Sequence, residues 1–449
     1  MKFLPAVALV VATSCITDTN SAGTGDSFET TDTTDCPFLV ADPVSSPTIS
    51  PEYSKKNVPI FDENVIVEFR LTFSASAWKE FEDGMWKNPK YNVAGQPEEI
   101  KQQVLTDWEA NNGDYYVHCG FEFDGEVFED AACRPRGSPE GWHKESKPQI
   151  KIRFDKWDKN GRFRGLRSVN LEYLRNRDAP VRDRLAMWFM RESGLPASRV
   201  NHVRLRVKKG DAAEEDFGLY MNIEPVDREF LEDRFKDPSG NLYKGGWIKK
   251  TNKKEKNDCD IWTLNDLVYY ETQRPADADH SEFFEALARA MDVDQVLRVM
   301  AAEVLLQTKD NLSNGSTNFY FYNNPGENFV AIPWDLDVVL AEQHCDADTN
   351  LFETVEGEPC SEAGDFRRMM MLNPEWKQRF EEHLVDLRDN AFSRLVERTK
   401  TVCAQIRDGY SKDAAWLVDH DMAEFDADCL AIEQRVVDRI AYVKQVLGR

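Results

Sequence analysis

The spacing of apolar residues changes once along the chain, close to Val226. Before that point, apolar and polar residues alternate in short runs with a period of two, which is typical of β-strands. After it, apolar residues recur mostly at helical spacing. The pattern predicts an α+β fold with a β-rich N-terminal lobe, residues 58–225, and a mostly helical C-terminal lobe, residues 226–449. A cleft between two such lobes is a common place for a binding site.

The individual elements follow from the same two periods. The first half is predicted to contain strands at 64–73, 115–121, 127–133, 149–154, 163–171, 203–208 and 218–224, with helices at 76–86, 97–110 and 179–193. The second half is predicted to contain long helical segments at 282–308 and 373–448, with two short strands, 318–322 and 329–332, between them.

The N-terminus resembles a bacterial lipoprotein signal. Lys2 precedes an apolar stretch, 3–12, that is too short to cross a membrane as a helix. Small residues then lead to Cys15, the residue that is lipidated in such signals. We expect residues 1–15 to be a signal peptide and residues 16–57 to be a disordered linker. The protein is then exported to the bacterial cell envelope or cell surface as a lipoprotein anchored at Cys15. The alternative is an ordinary secretory signal in which this cysteine is incidental.

The sequence contains nine cysteines, a number that supports export because disulfides form in oxidising compartments. Cys119 and Cys133 flank a predicted hairpin that turns at Asp124-Gly125, which makes them a plausible pair. With Cys15 set aside for the lipid, the remaining six cysteines could form two pairs that are close in sequence and one that would have to span the fold: Cys345/Cys360, Cys403/Cys429 and Cys36/Cys259. Spacing does not fix the connectivity. Zinc is disfavoured, since the sequence has no CxxC or HxxxH spacing.

Charge is distributed unevenly along the 449 residues. The formal net charge of −24 argues against general binding to a nucleic-acid backbone, which needs a basic surface. Residues 134–182 nevertheless hold 14 Lys and Arg against 6 Asp and Glu, and residues 244–256 hold 6 against 1. These two segments are either solvated faces or the lining of a groove for phosphates.

The densest group of candidate functional residues lies between 308 and 337. A polar segment, TKDNLSNGSTN (308–318), is followed by an aromatic strand and then by PWDLD (333–337). Phosphoryl transfer requires such residues, because one Asp orients or deprotonates the attacking hydroxyl and further oxygen ligands hold Mg²⁺ against the phosphates. The alternative is that Asp310 caps a turn and that Asp335 and Asp337 lie on a surface loop.

The order of several short motifs resembles the spore-coat protein H (CotH) kinase family, an atypical branch of the protein-kinase-like fold. The resemblance runs from about Val58 to the C-terminus and is carried by these stretches: RPRGS (134–138), KPQIKIRF (147–154), GLRSVNL (165–171), GLY (218–220) through Glu224 and Asp227, LYK (242–244), Asp310 to Tyr320, and PWDLD (333–337). It implies a two-lobed atypical protein-kinase-like fold in which one kinase domain spans both lobes.

The resemblance also implies roles for residues of the segment 308–337. Asp310 matches the catalytic Asp of the family. Asn318, which opens the next strand, matches a metal ligand, and Asp335 matches the metal-binding Asp of the DFG motif in ordinary kinases. Asp337 is a weaker candidate for the same metal. The implied cofactors are ATP and Mg²⁺ or Mn²⁺.

Residues of the N-terminal lobe are the implied nucleotide ligands. Kinase order places a phosphate-contacting lysine at Lys147 or Lys151, and we favour Lys147. The usual GxGxxG loop is absent, and Arg136-Gly137-Ser138 stands in its place. Glu224 occupies the hinge position that would contact adenine, or else forms a solvent-facing salt bridge. Lys244 contacts phosphate or substrate, or supports packing.

The sequence therefore predicts an exported kinase that transfers the γ-phosphate of ATP to Ser or Thr of a protein substrate in a metal-dependent reaction. A basic acceptor would suit the acidic remainder of the chain. We expect a monomer with no nucleic-acid partner and no membrane contact beyond the lipid anchor. Two alternatives stay open: a pseudokinase that acts as a surface scaffold, and a structural or calcium-stabilised lipoprotein of the spore or cell surface.

Overall fold

Seven strands form a closed barrel in the first half of the chain. The computed structural model describes residues 58–93, 95–112, 115–137, 147–173, 177–255, 257–308, 311–314, 317–340, 350–352 and 364–449. In spatial order the strands of the barrel are β1 (Val67–Phe73), β2 (Val117–Phe123), β3 (Glu126–Pro135), β4 (Ile150–Arg153), β5 (Ser168–Glu172), β7 (Glu215–Ile223) and β6 (Val200–Lys209). Neighbouring strands are antiparallel, except that β1 and β6 run parallel where the barrel closes.

Alternation along the strands fills the barrel with aromatic side chains. On β1, Phe69, Leu71 and Phe73 are buried and the residues between them are not. The ring of Phe121 on β2 packs edge-on against Phe69 (5.2 Å between centroids) and Phe163 (4.9 Å). Edge-on contacts of this kind add to the stabilisation that burial provides. The barrel is thus a packed core, and ligands have to bind outside it.

The β2–β3 hairpin has the geometry that its turn residues predict. Asp124 and Gly125 have φ values of 54° and 74°, the left-handed conformation that two-residue hairpin loops favour. A disulfide joins Cys119 to Cys133 across the two strands, so this predicted pair is confirmed.

Three helices accompany the barrel: α1 (Ala75–Phe81), α2 (Glu98–Asn112) and α3 (Arg182–Glu192). The first turn of α3 is charged yet buried, since Arg182, Asp183 and Arg184 are each 6% exposed or less. Buried charges need partners. Arg182 has one in Asp428, whose carboxylate it contacts through both terminal nitrogens (2.6 and 2.8 Å).

A second, four-stranded sheet lies in the helical half. Its spatial order is β11 (Phe329–Pro333), β10 (Phe319–Asn323), β8 (Leu242–Lys244) and β9 (Ile248–Lys249). The strands predicted at 318–322 and 329–332 are confirmed as β10 and β11. The sequence does not predict β8 and β9, because two or three residues are too few to show a period.

The helices that follow the barrel in the described residues are α4 (Arg228–Arg234), α5 (Cys259–Thr272), α6 (Ser281–Ala290), α7 (Val293–Leu306), α8 (Asp365–Met371), α9 (Pro374–Asp389), α10 (Leu395–Tyr410) and α11 (Met422–Leu447). The segment predicted at 282–308 is two helices, because the chain is extended at Met291 and Asp292 caps α7 by accepting the N–H of Gln295 (3.0 Å). The disulfide Cys403–Cys429 joins α10 to α11 and confirms that pair.

The α+β class is confirmed, with a β-rich first part and a helical second part. Among the residues described, every helix is too short or too polar to span a membrane. The boundary at 225/226 stays a prediction. The predicted signal peptide, the linker and the cysteines Cys15, Cys36, Cys345 and Cys360 lie outside the described residues.

Candidate active site

Asn318 and Asp335 lie at the same end of the β10–β11 hairpin. Phe319 and Pro333 are the last paired residues of the ladder. Just beyond them, the backbone N–H of Trp334 donates to the carbonyl oxygen of Asn318 (3.1 Å). Asn318 (φ 52°) and Asp335 (φ 58°) are both left-handed. Residues other than glycine adopt this conformation rarely, and often at functional sites.

The side chain of Asn311 holds this end of the hairpin together. Its Nδ2 donates to the carbonyl oxygens of Asn318 (3.3 Å) and Trp334 (3.1 Å). Asn311 is 1% exposed, so the contacts are sheltered from water. Asp310, the predicted catalytic residue, immediately precedes it and lies outside the described residues.

Buried contacts also fix the chain on both sides of residues 309–310. The backbone N–H of Ser313 donates to Oε2 of Glu303 on α7 (2.8 Å), and Nδ2 of Asn314 donates to the carbonyl oxygen of Thr308 (2.6 Å). Burial raises the pKa of Glu303 to about 7, although the Ser313 N–H opposes this rise. The segment that leads into and out of Asp310 is therefore anchored to the helical core.

The carboxylate of Asp335 has no hydrogen bond or ion pair with any residue that the structure describes. Its charge nevertheless acts on several neighbours. Burial raises the pKa of Glu172, and the charge of Asp335 adds to this rise. Burial lowers the pKa of Lys244 on β8, whereas Asp335 opposes that change. Asp335 also favours the charged form of Arg136.

Two predicted cationic residues, Arg136 and Lys244, interact electrostatically with this carboxylate, and a third, Lys151, interacts with Arg136. Arg136 donates to Oε1 of Glu172 (2.7 Å) at the end of β5. Lys244 stands opposite Tyr320 in the β8–β10 ladder, and Lys151 lies on β4. The ammonium groups of these two lysines have no hydrogen bond or ion pair with a described residue. The site therefore presents ammonium groups that an anionic ligand could pair with.

A family model described as "CotH kinase protein" matches residues 134–443. The chain belongs to the CotH kinase family. The match includes every residue proposed above for phosphate or metal binding, and it leaves the first 133 residues outside the family region.

Two solved structures show limited similarity to this CotH family member. A chain from the complex of HipA, HipB and operator DNA of the Shewanella oneidensis MR-1 toxin–antitoxin system is 11% identical, with a TM-score of 0.31. That match covers 63% of this chain and 60% of the other, so this chain spans about three-fifths of that relative. The Helicobacter pylori proinflammatory kinase CtkA is 9% identical, with coverage of 67% and 94% and a TM-score of 0.31. A search of the curated proteins found no match.

Lys147 is not part of the Asp335 group in this CotH family member. It lies before β4 and is 4% exposed. Its Nζ donates to the carbonyl oxygens of Phe217 (2.6 Å) and Leu219 (3.2 Å) and to Oδ2 of Asp413 (2.7 Å). Burial lowers the pKa of Lys147 to about 8, although Asp413 opposes this. An ammonium group has three protons, and all three have protein acceptors.

Glu224 forms a salt bridge, but a buried one. It is 2% exposed, and its carboxylate binds the guanidinium groups of Arg199 and Arg234, the latter at 2.5 Å. The backbone N–H of Arg199 donates to the same carboxylate (2.9 Å). Burial alone would raise the pKa of Glu224, but the two guanidinium groups outweigh it and lower the pKa to about 2. No oxygen of this side chain is left for adenine, so the structure favours a structural role.

Two carboxylates of this site are missed by sequence reasoning. Glu172 ends β5, and Asp183 lies in the first turn of α3, where Oδ1 accepts the backbone N–H of Leu336 (3.1 Å). Burial raises the pKa of Asp183, and the charges of Glu172 and Asp335 add to the rise. A charged residue between two arginines looks solvent-exposed in sequence, so only the burial of α3 reveals it.

Asp337 lies near the same group but has its own cation. Nη2 of Arg177 is 3.5 Å from Oδ2 of Asp337. The charge of Asp337 also opposes the ionisation of Asp183. The structure thus brings Asn318, Asp335 and Asp337 together with carboxylates from the barrel side.

Proposed function

We propose that this CotH family member transfers the γ-phosphate of ATP to a Ser or Thr hydroxyl of a protein substrate. One observation carries the proposal: Asn318 and Asp335 share one hairpin end, and Asp335 acts electrostatically on Lys244 and Arg136. Oxygen ligands beside cations are what a metal–nucleotide complex requires. Membership of a kinase family supports the same reaction class.

The residues present fit a hard divalent cation. Asp335 offers a carboxylate with no partner among the described residues. Asn318 lies at the same hairpin end, and Asp337 follows two residues later beside Arg177. These three residues would hold Mg²⁺ or Mn²⁺ together with phosphate oxygens, as is usual for Mg²⁺ in such enzymes. The bound cation would neutralise charge on the transferring phosphoryl group.

Other side chains have separate roles in proton transfer and phosphate binding. Asp310 takes the proton of the acceptor hydroxyl while the hydroxyl oxygen forms a bond to the γ-phosphorus. The bond between that phosphorus and the β–γ bridging oxygen breaks, and ADP leaves. Lys151 and Lys244 pair with phosphate oxygens, since both ammonium groups lack partners among the described residues. Arg136 stays with Glu172 and holds the end of β5 in place.

We also propose that the protein is exported and anchored at Cys15. The two described disulfides support an oxidising compartment. Mass spectrometry of the mature N-terminus is the test, with Cys15→Ser as the control. Lipid on the wild type and none on the variant is the expected result; an unmodified wild type would overturn the anchor.

Label transfer tests the kinase proposal. Mature protein is incubated with γ-labelled ATP, Mg²⁺ or Mn²⁺, and basic Ser-rich acceptor proteins. We expect label on the acceptor or on the protein itself, and a thermal shift that depends on ATP. The absence of both label transfer and an ATP-dependent thermal shift would overturn the proposal. A shift without transfer would favour the scaffold alternative, in which nucleotide binding survives but phosphoryl transfer does not.

A further inference from the structure

Two carboxylate oxygens in the protein interior have no hydrogen-bond partner. They are Oε2 of Glu172, which is 7% exposed, and Oδ2 of Asp183, which is 1% exposed. The second oxygen of each group is fixed: Oε1 of Glu172 accepts from Arg136 (2.7 Å), and Oδ1 of Asp183 accepts from the backbone N–H of Leu336 (3.1 Å). Leaving a buried carboxylate oxygen unpaired is costly, so both groups call for an explanation.

The two carboxylates lie in the neighbourhood of the candidate metal ligands. Leu336 lies between Asp335 and Asp337, and its N–H holds Asp183 against this segment. Asp335 and Glu172 each oppose the ionisation of Asp183, and Asp335 opposes that of Glu172. Three carboxylates from three different elements, β5, α3 and the segment after β11, therefore repel one another.

Two of the carboxylates at this site have no ion-pair partner among the described residues. Glu172 is paired with Arg136, and Asp337 is paired with Arg177. Asp183 and Asp335 form no such pair, and the charges of Arg136 and Lys244 act on them without a direct ion pair. Carboxylate oxygens are also the ligands that hard divalent cations prefer.

We propose that Glu172 and Asp183 bind a divalent cation together with Asp335, in a position between the barrel and the β10–β11 hairpin. The inference rests on the proposed function, because it concerns the metal of the same site. It adds two ligands from the barrel side that the family motifs do not assign here.

Phosphate or water oxygens complete the coordination. In the described part of the chain, the one trio of His, Cys, Asp or Glu with ligand atoms within 4.8 Å of one another is Asp178, His420 and Glu424, on the surface. The oxygens of Glu172, Asp183 and Asp335 are therefore more widely spaced.

Direct Mn²⁺ binding tests the inference without relying on catalysis. Free Mn²⁺ is measured by electron paramagnetic resonance in titrations of the full chain, with and without a non-hydrolysable ATP analogue. The variants are Glu172→Gln and Asp183→Asn, which keep size and the fixed hydrogen bond. Asp292→Asn is the matched control, because Asp292 also has a buried oxygen without a partner but caps α7. We expect each site variant to weaken binding at least about tenfold, and the control to bind as the wild type does.

Melting temperatures keep the test informative if a variant folds poorly. Asp183→Asn relieves repulsion, so the metal-free variant is expected to melt above the metal-free wild type and to lose the Mn²⁺-induced rise. Wild-type Mn²⁺ affinity in both site variants, with and without nucleotide, would overturn the inference even if label transfer succeeds. Conversely, weakened binding in the variants with no label transfer by the wild type would leave the cation site standing and remove the kinase proposal.

Discussion

The ammonium group of Lys147 and the carboxylate of Asp413 form an ion pair inside the protein, 2.7 Å apart and with 6% and 2% of the side chains exposed. Lys147 precedes β4 of the barrel, and Asp413 follows α10. Oδ2 of Asp413 also accepts the backbone N–H of Leu219 on β7 (3.3 Å). The pair therefore fastens the barrel to the C-terminal helices at a point where no phosphate is needed to satisfy the lysine.

Lys147→Met is expected to lower the free energy of unfolding by about 3–5 kcal/mol, because the Asp413 charge would stay buried without its partner. Urea unfolding measures the loss. The double variant Lys147→Met/Asp413→Asn is expected to recover part of it. Nucleotide affinity of the folded single variant should stay close to that of the wild type. A stable Lys147→Met protein that no longer binds ATP would make Lys147 the phosphate ligand after all.

Lys151→Met is expected to have the opposite profile. Burial and the neighbouring Arg134 lower the pKa of Lys151 to about 7, so its charged form is disfavoured in the free protein. Removing it should leave stability unchanged or raised. ATP affinity should fall by about tenfold, or about 1.4 kcal/mol, since a phosphate loses its counter-charge.

Calorimetric titration with ATP and Mg²⁺, alongside Lys147→Met as the matched lysine variant, separates the two residues. Equal ATP affinity in Lys151→Met and the wild type would contradict the role proposed for Lys151.

Local patterns were sufficient for much of the fold. Alternation located β1, the Asp124-Gly125 turn located the first hairpin, and the polar–aromatic sequence around Asn318 located β10 and β11. The break at Met291 escaped this reasoning, because helical spacing continues across it. A tertiary contact determines where the helix ends, because the backbone of Met291 forms an isolated β-bridge with Phe329.

The site was only partly accessible from sequence for a similar reason. Asn318 and Asp335 belong to recognisable motifs, so their proximity could be expected. The choice between Lys147 and Lys151 depends on Asp413, which is 266 residues from Lys147. The burial of Glu172 at the end of β5 and of Asp183 on α3 results from tertiary packing. No local sequence pattern encodes that packing.

The variants Asp310→Asn and Asp335→Asn are expected to impair different steps of the reaction, phosphoryl transfer and metal-dependent nucleotide binding respectively. Asp310→Asn should bind ATP with Mg²⁺ normally and lose label transfer by about 10²–10⁴-fold, the usual contribution of a general base. Asp335→Asn should lose transfer together with metal-dependent nucleotide binding. Single-turnover transfer and equilibrium ATP binding are measured on both proteins. Normal transfer by Asp310→Asn would remove Asp310 from the mechanism.

Glu224→Gln tests the buried hinge carboxylate through stability. The variant leaves Arg199 and Arg234 without their shared carboxylate, and we expect a loss of about 3–5 kcal/mol near neutral pH. ATP affinity of the folded variant should be unchanged. If affinity falls while stability does not, Glu224 contacts the nucleotide.

The pH dependence of this loss has a definite sign. Glu224 has a folded-state pKa of about 2, below its ordinary value of 4.5, so the unfolded chain takes up the proton first as the pH falls. The stabilisation is complete above about pH 5 and declines between about pH 4.5 and 2, by about 1.4 kcal/mol for each pH unit. The difference in unfolding free energy between wild type and Glu224→Gln should therefore be constant from pH 8 to about 5 and shrink below that. Urea unfolding at half-unit steps from pH 8 to 3 measures it. A difference that stays constant down to pH 3 would contradict the assignment of a strongly lowered pKa to Glu224.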